Sequence, residues 1–378
     1  MATIEIKTLS PVHVGSGRFL QNKTEYVFGK ENIGIVDEAK VLGLIGVDRI
    51  PFWVASIEKG ESLVEFIKSY GITPTLQSLT NRVIALKCEK DRAKNLSTLK
   101  EQIHNGQGLA YLPGSSIKGA IRSALFSQIA RSQKNGFNDD ELLDGWGDRQ
   151  KITANKLEKQ FFGSDPNHDI FRFLRIGDAY FRKNTTVAFV MDNINIKGNS
   201  DDPEAVHDTS KSQLVEAIGA GKGAELTIKL DGVGMKRNLE KRAIDTFPES
   251  FNSIEQLFAL INTNTQLLIN EEIAFWTHNI DDDVAKEYIE KLNSLLETAR
   301  GCSQKECVLR MAHGSGWTFI TGNWVKEANA VSDDLWYRIV NAARPGNQSR
   351  YKDYPFPKSR RISNNIDLPG FVKLSIVG

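Results

Sequence analysis

The chain has 378 residues, 40% of them hydrophobic, with 48 Lys and Arg against 47 Asp and Glu for a net charge of +1. That length passes one typical domain and can bury a large core without metals or disulfides, while the neutral balance excludes a wholly basic nucleic-acid binder and leaves room for a local basic stripe. Three scattered cysteines, Cys88, Cys302 and Cys307, exclude a disulfide framework, and no stretch has the apolar run of a signal peptide or membrane span, so a soluble cytoplasmic protein is expected.

Residues 2–9 alternate, Ile4 and Ile6 against Glu5 and Lys7, which predicts a half-buried strand running into the loop SPVHVGSG. Residues 24–37 predict short strands or an ordered loop, turned by Gly29 and Gly34, and apolar spacing predicts short helices over 62–69 and 76–87. The clearest helix follows Pro113-Gly114, with Ser115 or Ser116 as N-cap and Ile117, Ala120, Ile121, Ala124, Leu125, Ile129 and Ala130 at helical spacing. Glycines interrupt 134–170, so no long element is expected there. FRFLRIGDAYF (171–181), TTVAFVMDNINI (185–196) and AELTIKL (224–230) predict strands, and the polar KGNSDDPEAVHDTSKS (197–212) an exposed loop. Helical periodicity returns over 253–269, 283–299 and 332–343, and FVKLSIV closes the chain as a strand. The expected class is α+β with a mostly antiparallel sheet, in two parts, 1–231 and 232–378.

Five constellations bear on function. In PGSSIKGAIRSAL (113–125), Ser115, Ser116, free amides at a helix N-terminus, and Lys118 and Arg122 on one face about Gly119 together suit a phosphate. The bland reading is a capped helix with two solvated cations. A P-loop is excluded, because Lys118 precedes Gly119. In HVGSG (13–17), Gly15 and Gly17 would let a backbone approach closely, Ser16 could donate to phosphate, and His13 is either an acid–base group or structural. IGAGKGAELTIKL (218–230) mimics a dinucleotide motif, but it reads as helix before strand, the wrong order. HGSGW (313–317) joins Gly314, Ser315 and Gly316 to Trp317, a stacking platform or plain core. Basic residues gather at Lys236, Arg237, Lys241 and Arg242, and again at Arg350, Lys352, Lys358, Arg360 and Arg361 among Tyr351, Tyr354 and Phe356. Cys302, Cys307 and His313 lack a fourth zinc ligand, and no triad, paired carboxylate or cofactor motif stands out, so no metal or cofactor is expected.

SPVHVGSG, YLPGSSIKGAIRSAL, FLRIGDAYF and GKGAELTI together resemble the RAMP superfamily of CRISPR-associated proteins. The GSGW segment and LPGFVKL strand resemble its fifth-subunit family from type III-A effector complexes. The resemblance implies an RRM-like (ferredoxin-like) core and a non-catalytic RNA-binding subunit that caps the backbone filament over the 3′ part of the guide crRNA. Its implied partners are a backbone RAMP subunit, a small helical subunit and guide-trimming ribonucleases. It also implies guide contacts for Ser115, Ser116, Lys118 and Arg122 and for Gly15, Ser16 and Gly17. Target-cleaving relatives carry an aspartate after the first glycine loop; here RFLQNKTEYVFG has only Glu25, so target cleavage is not expected. The rivals are a metal-independent endoribonuclease using His13 with the 314–316 loop, a different RAMP position such as a type III-B end subunit or a backbone subunit, and an unrelated cytosolic interaction protein whose glycine motifs are merely turns.

Overall fold

The computed structural model describes residues 1–145, 151–198, 203–241, 244, 246–326, 330–342, 355–363 and 365–378. In chain order the strands are β1 Ala2–Thr8, β2 Gly15–Gln21, β3 Tyr26–Phe28, β4 Asn32–Val36, β5 Thr80–Leu86, β6 Thr98–Gln102, β7 Tyr111–Leu112, β8 Leu143–Asp144, β9 Lys151–Ile152, β10 Leu174–Ile176, β11 Ala179–Tyr180, β12 Thr186–Gly198, β13 Pro203–Ile218, β14 Gly223–Leu230, β15 Glu306–Arg310, β16 Ser359–Ser363 and β17 Phe371–Ile376. The helices are α1 Glu38–Ile45, α2 Ile50–Glu58, α3 Leu63–Ser69, α4 Leu76–Leu79, α5 Lys90–Lys94, α6 Gly114–Arg131, α7 Asn155–Phe162, α8 Gly232–Glu240, α9 Ile254–Asn279, α10 Asp283–Arg300 and α11 Asp333–Ala342.

A five-stranded sheet runs β10-β14-β1-β17-β15, every neighbour antiparallel. The alternation in β1 is what builds it: Ile4 and Ile6 are fully buried and share one core with Ile117, Ile121 and Leu125 of α6 and Leu257, Phe258 and Ile261 of α9. Each such side chain contributes roughly 1.5–3 kcal/mol by leaving water. The far half of α9 (Leu268, Ile269, Trp276) joins α10 and the β12–β13 hairpin in a second core. Strands from both 1–231 and 232–378 share this sheet, so the two parts divided in the sequence are joined through it.

An eight-stranded sheet is ordered β2-β6-β13-β12-β5-β4-β3, with β16 pairing β12. It is mostly antiparallel, but β12–β5 and β13–β6 are parallel. Helices α1 to α4 sit over β3 and β4 with a small core of their own around Val41, Ile45, Leu63 and Ile67.

Five expectations are corrected. Gly15 and Gly17 open strand β2, in irregular register with β6, rather than lie in a loop. The polar run at 197–212 is largely strand, because β12 and β13 continue their ladder from Asn193↔Asp208 to Gly198↔Pro203, which satisfies the backbone without burying many side chains. The run before Gly219 is β13 rather than helix, so residues 219–222 carry the chain from the eight-stranded sheet into β14 of the five-stranded one. Residues 76–87 split: a Thr75–Ser78 capping box starts the short α4, then β5 alternates buried Ile84 with exposed Val83. Helix α7 stands within 134–170, burying Leu157 and Phe162 and stopping at Gly163 with φ 124°, and its eight residues are consistent with the expectation of no long element there. Helix α6 starts at Gly114 with Pro113 as N-cap, so Ser115 and Ser116 lie inside its first turn.

Candidate nucleic-acid interface

β1 and β15 run parallel to each other on either side of β17, and their last residues stand side by side: Thr8 pairs Val372 and Arg310 pairs Phe371. The segments that leave them, HVGSG and HGSGW, therefore emerge at the same end of the sheet. Val12 is pinned to Ile218 by reciprocal backbone bonds of 2.9 Å. His13 follows, 3% exposed, its Nδ1 2.6 Å from the Glu216 carbonyl. The His313 amide donates to the His13 carbonyl at 3.1 Å, and the two rings meet edge to face with centroids 5.6 Å apart. Burial first, then the nearby Lys100 ammonium, pushes both imidazoles down to about 4, so both are neutral at pH 7.

The glycines make this approach possible. Gly314 (φ 90°) and Gly316 (φ 75°) take left-handed backbone, and a Cβ on Gly314 would meet Pro369 Cγ at 2.9 Å. A Cβ on Gly15 would stand 3.2 Å from His13 Nε2. Ser315 is buried and bonds the Ala312 carbonyl, whereas Ser16 is exposed and donates to Glu101 at 2.9 Å. Gly15, Ser16 and Gly17 thus face solvent beside the histidine pair, while Ser315 serves its own loop.

The start of α6 is a different place, linked to the first segment through β7 by Gln102, which accepts from the Val14 amide at 3.0 Å and donates to the Tyr111 carbonyl at 3.1 Å, and by Ile103, whose amide donates to the Val14 carbonyl at 2.8 Å. Gly114 packs so closely that a Cβ would lie 2.2 Å from the Ile176 carbonyl, and its amide donates to Asp178 at 2.8 Å. One free amide of the helix end is therefore taken by the protein's own carboxylate. Arg122 is committed as well: it reaches Asp169 at 2.8 Å and Glu158 at 3.1 Å and lies 4.4 Å over the Phe162 ring. The expectation that Lys118 and Arg122 form a free cation pair is corrected on that ground. Ser115, Ser116, Lys118 and Gly119 remain accessible, and all but Ser116 line with Lys159 and Arg172 a cleft that also holds Asp165 and Asp169. Desolvation lowers the Lys118 pKa, with Asp169 opposing it.

The other basic residues divide. Lys236 and Arg237 are exposed on α8 and join neither glycine loop. Arg242, Arg350, Tyr351, Lys352 and Tyr354 lie outside the described residues. Arg360 is buried in a two-point ion pair with Glu272. Trp317, half-buried, packs against Phe356 at 5.0 Å and against the main core, which favours the plain-core reading over a stacking platform. Glu25, in the loop where cleaving relatives carry an aspartate, accepts from the Gln21 amide and pairs with Arg18. Sequence reasoning missed Lys100 on β6, 3.4 Å from His313 Nε2, because only the strand pairing brings it there. Among the described residues no three His, Cys, Asp or Glu are grouped to hold a metal ion, and no helix is long and apolar enough to cross a membrane.

Comparisons with known proteins find relatives in sequence and in fold. Over 191 residues, 47% of this chain, the sequence is 27% identical to the CRISPR system Cms protein Csm5 of Methanocaldococcus jannaschii, and it spans 43% of that relative's length. The fold matches a chain of a cryo-EM Csm–crRNA–target RNA ternary complex from a type III-A CRISPR-Cas system, covering 99% of this chain and 100% of that one, with TM-score 0.68 and 18% identity. It also matches the crystal structure of T. onnurineus Csm5, again over 99% and 100%, with TM-score 0.60 and 16% identity. The model of the RAMP superfamily matches residues 5–319. By that match over most of its length, the chain belongs to the RAMP superfamily.

Proposed function

We propose that the chain is a non-catalytic, RNA-binding subunit of a type III-A CRISPR effector complex in the cytoplasm. In this reading it caps the backbone filament at the 3′ end of the guide crRNA, contacts a backbone RAMP subunit and a small helical subunit, and supports guide maturation by positioning trimming ribonucleases. The carrying observation is the convergence of the 13–17 segment, which runs into the start of β2, and the 313–316 loop at one end of the five-stranded sheet, beside Lys100. Exposed glycine backbone and a cation suit phosphates rather than base edges, so recognition would follow backbone and shape. The similarity to Csm5 proteins and to a chain of a Csm–crRNA complex supports the choice of complex. An RRM-like core belongs to the same reading, supported by antiparallel β10, β14 and β1 sharing a core with α6. So does a division of the chain at residues 231/232.

Affinity purification from the native cells, with sequencing of crosslinked RNA, tests it. Crosslinks gathered near guide 3′ ends, with sister subunits copurifying once per complex, are expected; absence of guide and partners would return the chain to an unassigned binding module.

One observation favours a second reading. His13 and His313 do meet, as a metal-independent ribonuclease would need. Against it, His13 is buried and its Nδ1 is held by the Glu216 carbonyl. RNA cleavage by the isolated chain that His13→Ala abolishes would establish the rival.

A further inference from the structure

We infer that Phe19, Lys100, His313 and Arg361 form a one-nucleotide subsite for single-stranded RNA, with Phe19 as the platform for a base and the two cations as the seat of its phosphodiester. The inference rests on the RNA-binding reading above and names where one nucleotide would lie.

The placement comes from the eight-stranded sheet. Pairing of β2 with β6 sets Phe19 opposite Lys100, and β16 brings Arg361 in beside β12. Phe19 is 55% exposed, and the Lys100 ammonium lies 5.6 Å from its ring. A single exposed phenylalanine needs no explanation; one beside a cation cluster offers a face on which any base can stack.

Neither cation is in an ion pair among the described residues, although Arg361 donates to the Lys211 carbonyl at 3.1 Å. Both are partly buried, and desolvation, then the Arg361 guanidinium, lowers the Lys100 pKa. Asp192 is the acid that favours Arg361, but its carboxylate is already bonded by Arg92 and His207, each at 2.8 Å, and by Ser212.

His313 leaves the same space open. Its Nε2 is 3.4 Å from both Lys100 Nζ and the Gln213 side-chain oxygen. One nitrogen cannot accept from the ammonium and donate to the amide oxygen at once, so the two long contacts are alternatives. A phosphate oxygen among these groups would accept from Lys100 and Arg361, relieve their repulsion and favour protonation of His313 toward it.

Fluorescence anisotropy of a labelled single-stranded RNA decamer, read across a salt series with the full chain and with its assembled complex, tests the subsite. Lys100→Gln is expected to weaken binding about tenfold and to lower the salt slope by about one. Phe19→Ala, at an exposed position that keeps the test readable if β6 is disturbed, is expected to weaken binding about tenfold with the slope unchanged. Wild-type affinity and slope in both variants, while the parent protein binds RNA, would overturn the subsite and leave the functional reading standing. A parent protein that binds no RNA, alone or assembled, would overturn the functional reading and the subsite with it.

Discussion

The rings of His13 and His313 meet edge to face, centroids 5.6 Å apart and planes at 78°, across 300 positions of sequence. The contact exists because β1 and β15 flank the same strand, and it seals the two glycine loops together beneath their exposed backbone.

That contact predicts a pH dependence. Folding lowers the His13 pKa from 6.5 to about 4 by burial, so between those values the unfolded chain binds the proton more readily. The contribution of His13 to stability is then full above pH 6.5 and is lost as pH falls toward 4, by at most about 3 kcal/mol. Urea unfolding of wild type and His13→Gln at pH 7 and pH 4.5 measures it. The variant should lose less stability than wild type over that interval; equal losses would show that His13 titrates alike in both states.

A second prediction concerns the buried carboxylate of Glu272. It takes both arms of Arg360, the Trp276 indole at 3.0 Å and the Tyr288 hydroxyl at 3.1 Å. Removing one charge strands the other, so Arg360→Met should cost roughly 3–5 kcal/mol, while Arg360→Met with Glu272→Met should cost far less than the sum. A double-mutant cycle by chemical denaturation gives the coupling, and additivity would refute it.

On α6 the two cations should separate by function. Arg122 bonds Asp169 and Glu158, so Arg122→Ala should lower stability by about 1–2 kcal/mol. Lys118 has the cleft before it, so Lys118→Gln should leave the melting temperature nearly unchanged and weaken RNA binding with a salt slope smaller by about one. Melting curves and anisotropy on the same preparations compare them; a reversed pattern would make Arg122 the RNA contact.

Gly114 tests the seating of that helix. A methyl group there falls 2.2 Å from the Ile176 carbonyl, so Gly114→Ala should destabilise by about 1–3 kcal/mol despite alanine's better helix propensity. Calorimetry reads the sign, and a stabilised variant would show that the helix end can move freely.

Much of the fold was legible because its signals are local. Ile4 and Ile6 alternate, and α6, α9 and α10 repeat apolar residues at helical spacing. The β12–β13 hairpin was not: its outer half is polar, and only the backbone ladder makes Pro203 to Ser212 a strand. The glycine loops were legible as backbone suited to close approach, but their meeting depends on strand order, which no local pattern carries. Lys100 and Phe19 were invisible for the same reason, being neighbours only through the pairing of β2 with β6. Arg122 and Arg360 looked like free cations because their acids, Asp169 and Glu272, are 47 and 88 positions away.

The most direct test of the central claim is to assemble the chain with its sister subunits on a guide carrying 4-thiouridine in its 3′ part, irradiate it, and map the crosslinked peptides. The account predicts crosslinks in peptides that contain residues 13–19, 115–119 and 313–316. Crosslinks confined to α10 and the outer helices α1 to α3, or none to this chain, would contradict it.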